Sequence, residues 1–256
     1  MISLPRLAIA AGLVAVAIAL SRVRRLSLET ELFVGALRAA VQLVAIGWAL
    51  HLVFAVESPA ATFAVVAVML VVAAWTAASR TRSSLFLPAL AAIALGAAAA
   101  LVPVFALVIP PDPWFAPRIV IPISGMMLSS AMNVVAQLFE RLFAIARSDE
   151  ALLEQYVALG ATPRQAFAGA ERAALRAALI PTINGLVTVG LVALPGMMTG
   201  QIVNGAAPEQ AVRYQIVIMY ELVVVAAVAG FVATWFARRA VFTADGMLRS
   251  DVAADR

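Results

Sequence analysis

Glu221 is the only acid between Gln215 and Arg238 in a long apolar run. A carboxylate in that setting calls for a bound cation, a basic partner such as Arg38 or Arg213, or a wet cavity. Asn133 and Gln137 stand one helical turn apart in another apolar run, and Arg38 and Gln42 repeat that spacing in a third; Arg38 is near enough to the end of its run to reach water along its stem. Gln201 and Asn204 close a fourth run, and His51, near the end of its own, reads as an interfacial residue. Two segments combine proline, glycine and a methionine pair: Pro122 with Gly125-Met126-Met127, and Pro195-Gly196-Met197-Met198-Thr199-Gly200. Proline removes a backbone donor, at 195 disturbing the carbonyl of Leu191, while Gly196 and Gly200 permit close backbone approach by another helix. Two interrupted apolar helices are a pointer to a substrate path; the same features also serve kinking and packing, and both uses stay open.

The residue inventory excludes much chemistry. All 18 basic residues are arginine, and there is no lysine for a phosphate-binding loop or a Schiff base. Without cysteine there are no disulfides, thiolate metal sites or thiol nucleophile, and a single histidine gives no zinc cage. No nucleophile–histidine set or paired carboxylates fall within one run, so an enzyme is not expected and no cofactor is expected on this chain. Of the 256 residues, 64% are apolar and 12% charged, against about 25% charged in a soluble domain. The mean hydropathy of +1.01 points to a polytopic membrane protein. The basic pI of about 10.6 reflects arginines flanking apolar runs rather than a nucleic-acid surface.

These residues must be positioned by helices that cross a bilayer, each needing about 20 apolar residues. Seven such runs are legible: 4–21, 33–54, 60–79, 85–109, 119–139, 180–203 and 214–237, giving an all-α fold of about seven spans. Arginines crowd one set of connections, including Arg22, Arg24, Arg25, Arg80, Arg82, Arg141, Arg147, Arg238 and Arg239, and are sparse on the other. That bias predicts the N-terminus outside and the C-terminus in the cytoplasm. The first run reads as a retained anchor and not a cleaved signal, because Arg22, Arg24 and Arg25 follow it directly.

One connection is long, 140–179, and it reads as helices. A short helix over 151–159, opened by Ser148-Asp149-Glu150, places Glu150 and Glu154 on one face and offers Leu152, Leu153, Tyr156 and Val157 as an apolar face. Gly160 sits where a left-handed residue would end it. Thr162, Pro163 and Gln165 then supply a capping residue, a first-turn proline and a capping-box partner, and the next helix gathers Phe167, Ala170, Ala174 and Ala178 on one side. Pro181 marks the start of the sixth span. An apolar face on a projecting helix needs something to pack on, either the chain itself or a partner.

The run Leu159-Gly160-Ala161-Thr162-Pro163-Arg164-Gln165-Ala166-Phe167, followed by Ala177 through Thr182, resembles the cytoplasmic coupling loop of ABC-transporter permeases. The stretches Val189 through Gln201, Tyr214-Gln215-Ile216, Pro122 through Met127 and Arg38 through Leu43 resemble the FetB-like iron-export permeases, a family that includes plant permeases of aluminium tolerance. The resemblance covers residues 30–237. It implies one transmembrane permease domain over 1–256, with a coupling loop at 140–179 and a cytoplasmic tail at 238–256. It also implies docking of a cytoplasmic ABC ATPase, which would carry ATP and Mg, on Glu150, Leu153, Glu154, Tyr156, Leu159, Gly160, Ala161, Thr162 and Pro163. Two copies in a bacterial inner membrane would form the transporter, moving iron or a related metal outward.

The chain's own donors do not build an iron site. Iron prefers oxygen and nitrogen ligands, whereas the apolar runs offer few acids and nine methionines occur in the chain. Methionine in apolar helices serves packing more often than coordination. The translocation path is expected to run along Arg38, Gln42, Pro122, Gly125, Met126, Met127, Asn133, Gln137, Pro195, Gly196, Met197, Met198, Gly200, Gln201 and Glu221, with no metal ligand assigned. The alternatives are an ABC permease for a non-metal solute, and a self-contained channel or ion-coupled carrier using Glu221.

Overall fold

A computed structural model describes residues 4–81, 83–243 and 245–249. Arg82 and tail residues 250–256, used above for topology and the tail, lie outside the described residues. The chain divides into two compact units, 1–57 and 58–256.

The first unit is a helical hairpin of α1 (Leu4–Arg24) and α2 (Glu29–Val56). Its turn is fixed by Ser21, whose hydroxyl donates to Glu29 Oε1 at 3.1 Å and accepts from the Leu28 amide at 3.2 Å. α2 has no buried residue. An apolar helix exposed all round in this way is suited to lipid contact. Arg38 and Gln42 stand exposed on it one turn apart.

The second unit contains α3 (Pro59–Ser79), α4 (Phe86–Pro103), α5 (Pro117–Ser148), α6 (Glu150–Ala158), α7 (Pro163–Thr188), α8 (Gly196–Val203) and α9 (Pro208–Val241). Four of them begin on a proline at the first helical position, where the missing N–H costs nothing. α4 runs past Pro103 into a π-helical turn, Val104–Val108. α2, α3, α4 with that turn, α5 and α9 are long and apolar enough to cross a membrane, and the fold is all-α as expected.

α5 and α9 form the centre, with α3, α4 and α7 packed around them. Small residues set the closest approaches. A Cβ on Gly96 of α4 would lie 2.7 Å from Ala229 Cβ, and one on Gly230 would lie 2.7 Å from Leu175 Cδ1 of α7. Close backbone contact of this kind takes the place of the hydrophobic drive that lipid does not supply.

The sixth expected span is not a helix from 180 to 203. α7 continues unbroken from the 163 corner to Thr188 with Pro181 inside it, so Pro181 does not start a helix. The chain then turns through 189–195. Gly190 has φ +81 and its amide donates to the Ala193 carbonyl at 2.9 Å, while the Val192 amide reaches the Thr188 carbonyl at 2.9 Å. Pro195 caps the separate short α8, so it ends a loop and does not disturb a helical carbonyl at Leu191.

Candidate functional site

The longest connection folds as its residues dictate. α6 ends at Ala158, and Gly160 takes φ +88, where a side chain would be strained. The Thr162 hydroxyl accepts from the Gln165 amide at 3.3 Å, and Gln165 Oε1 accepts from the Thr162 amide at 2.9 Å. That reciprocal pair satisfies two otherwise free donors and starts α7 at Pro163. The first turns of α7 are held from the other end of the chain. Phe167 packs edge-on to Phe242 at 5.7 Å, and Arg238 donates to Glu171 Oε1 at 2.6 Å.

The apolar face of α6 divides in two. Leu153 is 4% exposed and belongs to the chain's own core, with Val157 against it. Leu153 therefore anchors α6 and is not available to a partner. Leu152, Tyr156 and Leu159 point outward, Leu159 being 85% exposed. Glu154, Gly160 and Thr162 are exposed beside them, while Glu150, Ala161 and Pro163 are half-buried.

The largest cavity, about 750 Å³, opens between α3, α5, α7, α8 and α9. One stripe of α5 faces it at helical spacing: Pro122, Gly125, Met126, Ser129, Asn133 and Gln137. Pro195, Gly196 and Met197 close one side. Eight of the expected path residues thus meet at one void. Met127 is fully buried in the core instead. Met198 lines a neighbouring cavity of about 310 Å³ and Gln201 one of about 260 Å³. Gly200 lines none of these three, and a Cβ added to it would meet nothing within 4 Å. Thr182 and Gln215 line the large cavity without having been expected there. Their signal was a single polar residue at the register of the small or polar residues around it, Gly185 in α7 and Met219 in α9.

Glu221 is elsewhere. It is 3% exposed, it does not line the large cavity, and neither carboxylate oxygen has a hydrogen-bond partner among the described residues. It stands one turn from Val225, whose carbonyl lies at the Gly96 contact between α4 and α9. Among the described residues no group of three or more His, Cys, Asp or Glu side chains gathers to hold a metal.

No solved structure matches the chain. A UPF0014 membrane protein of Synechocystis is 40% identical over 82% of each chain. The probable iron export permease protein FetB of Escherichia coli is 36% identical over 91% of this chain and 90% of that one. The protein ALUMINUM SENSITIVE 3 of Arabidopsis thaliana is 36% identical over 95% of this chain and 89% of its own. These relatives share the whole helical arrangement and not one motif. The model of the family described as Uncharacterised protein family (UPF0014) matches residues 4–242, so the chain, a multi-pass membrane protein, belongs to that family.

Proposed function

We propose that the chain is the membrane-spanning subunit of an ABC exporter that moves iron or a related metal species out of the cytoplasm, driven by a separate ATPase. The observation that carries this reading is the projecting α6 and its capped corner. Leu152, Tyr156 and Leu159 form an exposed apolar patch on a helix whose inner face is anchored by Leu153. An apolar patch at the arginine-rich end of a bundle faces water and not lipid, and it suits a protein partner. The iron export permease among the relatives supports the cargo. Paired ATPases imply two copies of this chain related by a two-fold axis, with the N-terminus outside and ATP and Mg held on the partner.

The test is reconstitution with the cognate ATPase in proteoliposomes. Iron moves only with ATP and both subunits present, and the purified chain alone hydrolyses none. Hydrolysis that persists in the chain after contaminating ATPases are removed would refute the reading.

The partnerless Glu221 favours an ion-coupled carrier as the competing reading, and substitution separates the two. Glu221→Leu removes a buried polar group without a partner, so the chain should gain about 1–3 kcal/mol in stability while ATP-driven export persists. Loss of transport together with the stability gain would make the carrier reading the better one. Thermal unfolding in detergent and an export assay on the same preparation measure both.

A further inference from the structure

The large cavity has a chemical bias set by where α8 begins. Pro195, Gly196 and Met197 line it, whereas Gln201 and the far end of α8 face a different void. The N-cap Pro195 makes no side-chain hydrogen bond, and the first amide to bond back is that of Thr199, to the Pro195 carbonyl at 3.0 Å. The amides of Gly196, Met197 and Met198 therefore have no partner among the described residues. A Cβ on Gly196 would meet nothing within 4 Å, so the space beside this end is open.

A second feature is independent of the helix. Gln215 is 6% exposed and lines the same cavity, and its Oε1 makes no hydrogen bond. A buried acceptor of this kind needs a donor. The remaining polar lining, including Ser129, Asn133, Gln137 and Thr182, is neutral, and no ionised side chain faces the void.

A bare multivalent cation would meet the positive end of a helix here and no carboxylate. An anionic oxygen suits the three free amides, and a hydroxyl or metal-bound water suits Gln215 Oε1. We propose that the cargo enters this cavity as an iron–hydroxycarboxylate complex, one carboxylate oxygen resting on the α8 N-terminus and a hydroxyl or aqua proton donated to Gln215. Three carboxylates balance a trivalent iron, so the complex brings no net charge to an uncharged lining. At about 750 Å³ the cavity falls in the size range of small-molecule sites. The inference rests on the export reading only in taking iron as the metal.

The test is binding to the full chain in lipid nanodiscs, with ferric citrate, ascorbate-reduced ferrous iron, citrate alone and inorganic phosphate as probes. Ferric citrate should be retained about tenfold more tightly than any of the others. Pro195→Asp places a carboxylate on the α8 amides and should weaken ferric citrate about tenfold. Pro195→Asn, a neutral cap, should weaken it less, and Gln215→Leu should weaken it about threefold, each at an unchanged unfolding temperature. Ferrous iron bound as tightly as the complex overturns the proposal, as does citrate or phosphate bound equally well. Unchanged ferric citrate binding in folded Pro195→Asp and Gln215→Leu also overturns it. ATP-driven iron export without complex binding sinks this inference alone. Complex binding without ATP-driven export sinks the export reading alone.

Discussion

Leu159→Asp is expected to lower capture of the ATPase subunit by about 30-fold or more, with the unfolding temperature of the isolated chain unchanged. Leu159 is 85% exposed and touches nothing that the fold depends on. At a docked surface it would act as an apolar anchor, and losing one costs about 2 kcal/mol or more. Gly160→Val should reproduce the effect by a different route. Its φ of +88 is strained for a branched residue, so α6 would be re-aimed while the spans stay packed. Leu153→Asp provides the contrast. That side chain is in the core, and an unpaired charge there should cost several kcal/mol and prevent accumulation in the membrane. Pull-down with the tagged ATPase, beside thermal unfolding of each variant, reads both effects. Undiminished capture by folded Leu159→Asp would remove α6 from the interface.

Gly96→Val should destabilise the chain by about 3 kcal/mol, near the upper end of what overpacking usually costs. The added atoms would meet α9 backbone as well as side chain, at 3.1 Å from the Ala229 nitrogen and 3.1 Å from the Val225 carbonyl oxygen. Backbone cannot rotate away, so α4 and α9 must separate along their whole shared length. Gly169→Ala is the matched control. Its Cβ would meet nothing within 4 Å, and alanine in a helix gains about 0.5–1 kcal/mol over glycine. Unfolding in a graded denaturing detergent compares the two, and equal stabilities would remove the α4–α9 contact as the determinant.

The parts of this architecture that were legible beforehand are those where local chemistry decides the backbone. Gly160 after an amphipathic run, and Thr162 three residues before Gln165, specify a helix end and a helix start without reference to the rest of the chain. The α5 stripe was legible for a related reason, since Pro122, Gly125, Met126, Asn133 and Gln137 share one helical face. The break at 189–195 was not. Its residues, Val189-Gly190-Leu191-Val192-Ala193-Leu194-Pro195, are as apolar as a span, and hydropathy averages over helix and loop alike. Gly190 five residues before Pro195 was the available sign, because the turn needs a positive φ at one end and a residue that can start a helix at the other. Leu153 was misplaced for a different reason. Periodicity assigns residues to a face of α6, but which half of that face turns inward depends on α5 and α7.

The continuity of α7 makes it a lever. Its 26 residues have no joint from the 163 corner to Thr188, and a helix of that size is about 39 Å long. Phe167, Ala174 and Ala178 clamp its lower half in the core, whereas Pro181, Thr182 and Gly185 form cavity wall. Pro181 lies where clamped and free parts meet, and it omits the rung that would otherwise tie residue 181 to the Ala177 carbonyl. A tilt of about 5° at a fulcrum there sweeps the last two turns through only about 1 Å, whereas the same tilt taken from the corner carries Thr188 through about 3 Å. Force applied at Pro163 therefore arrives at the cavity amplified by helix length and not by any chain of side-chain contacts, and stiffening the fulcrum with Pro181→Ala would change the stroke without altering a single residue at either end.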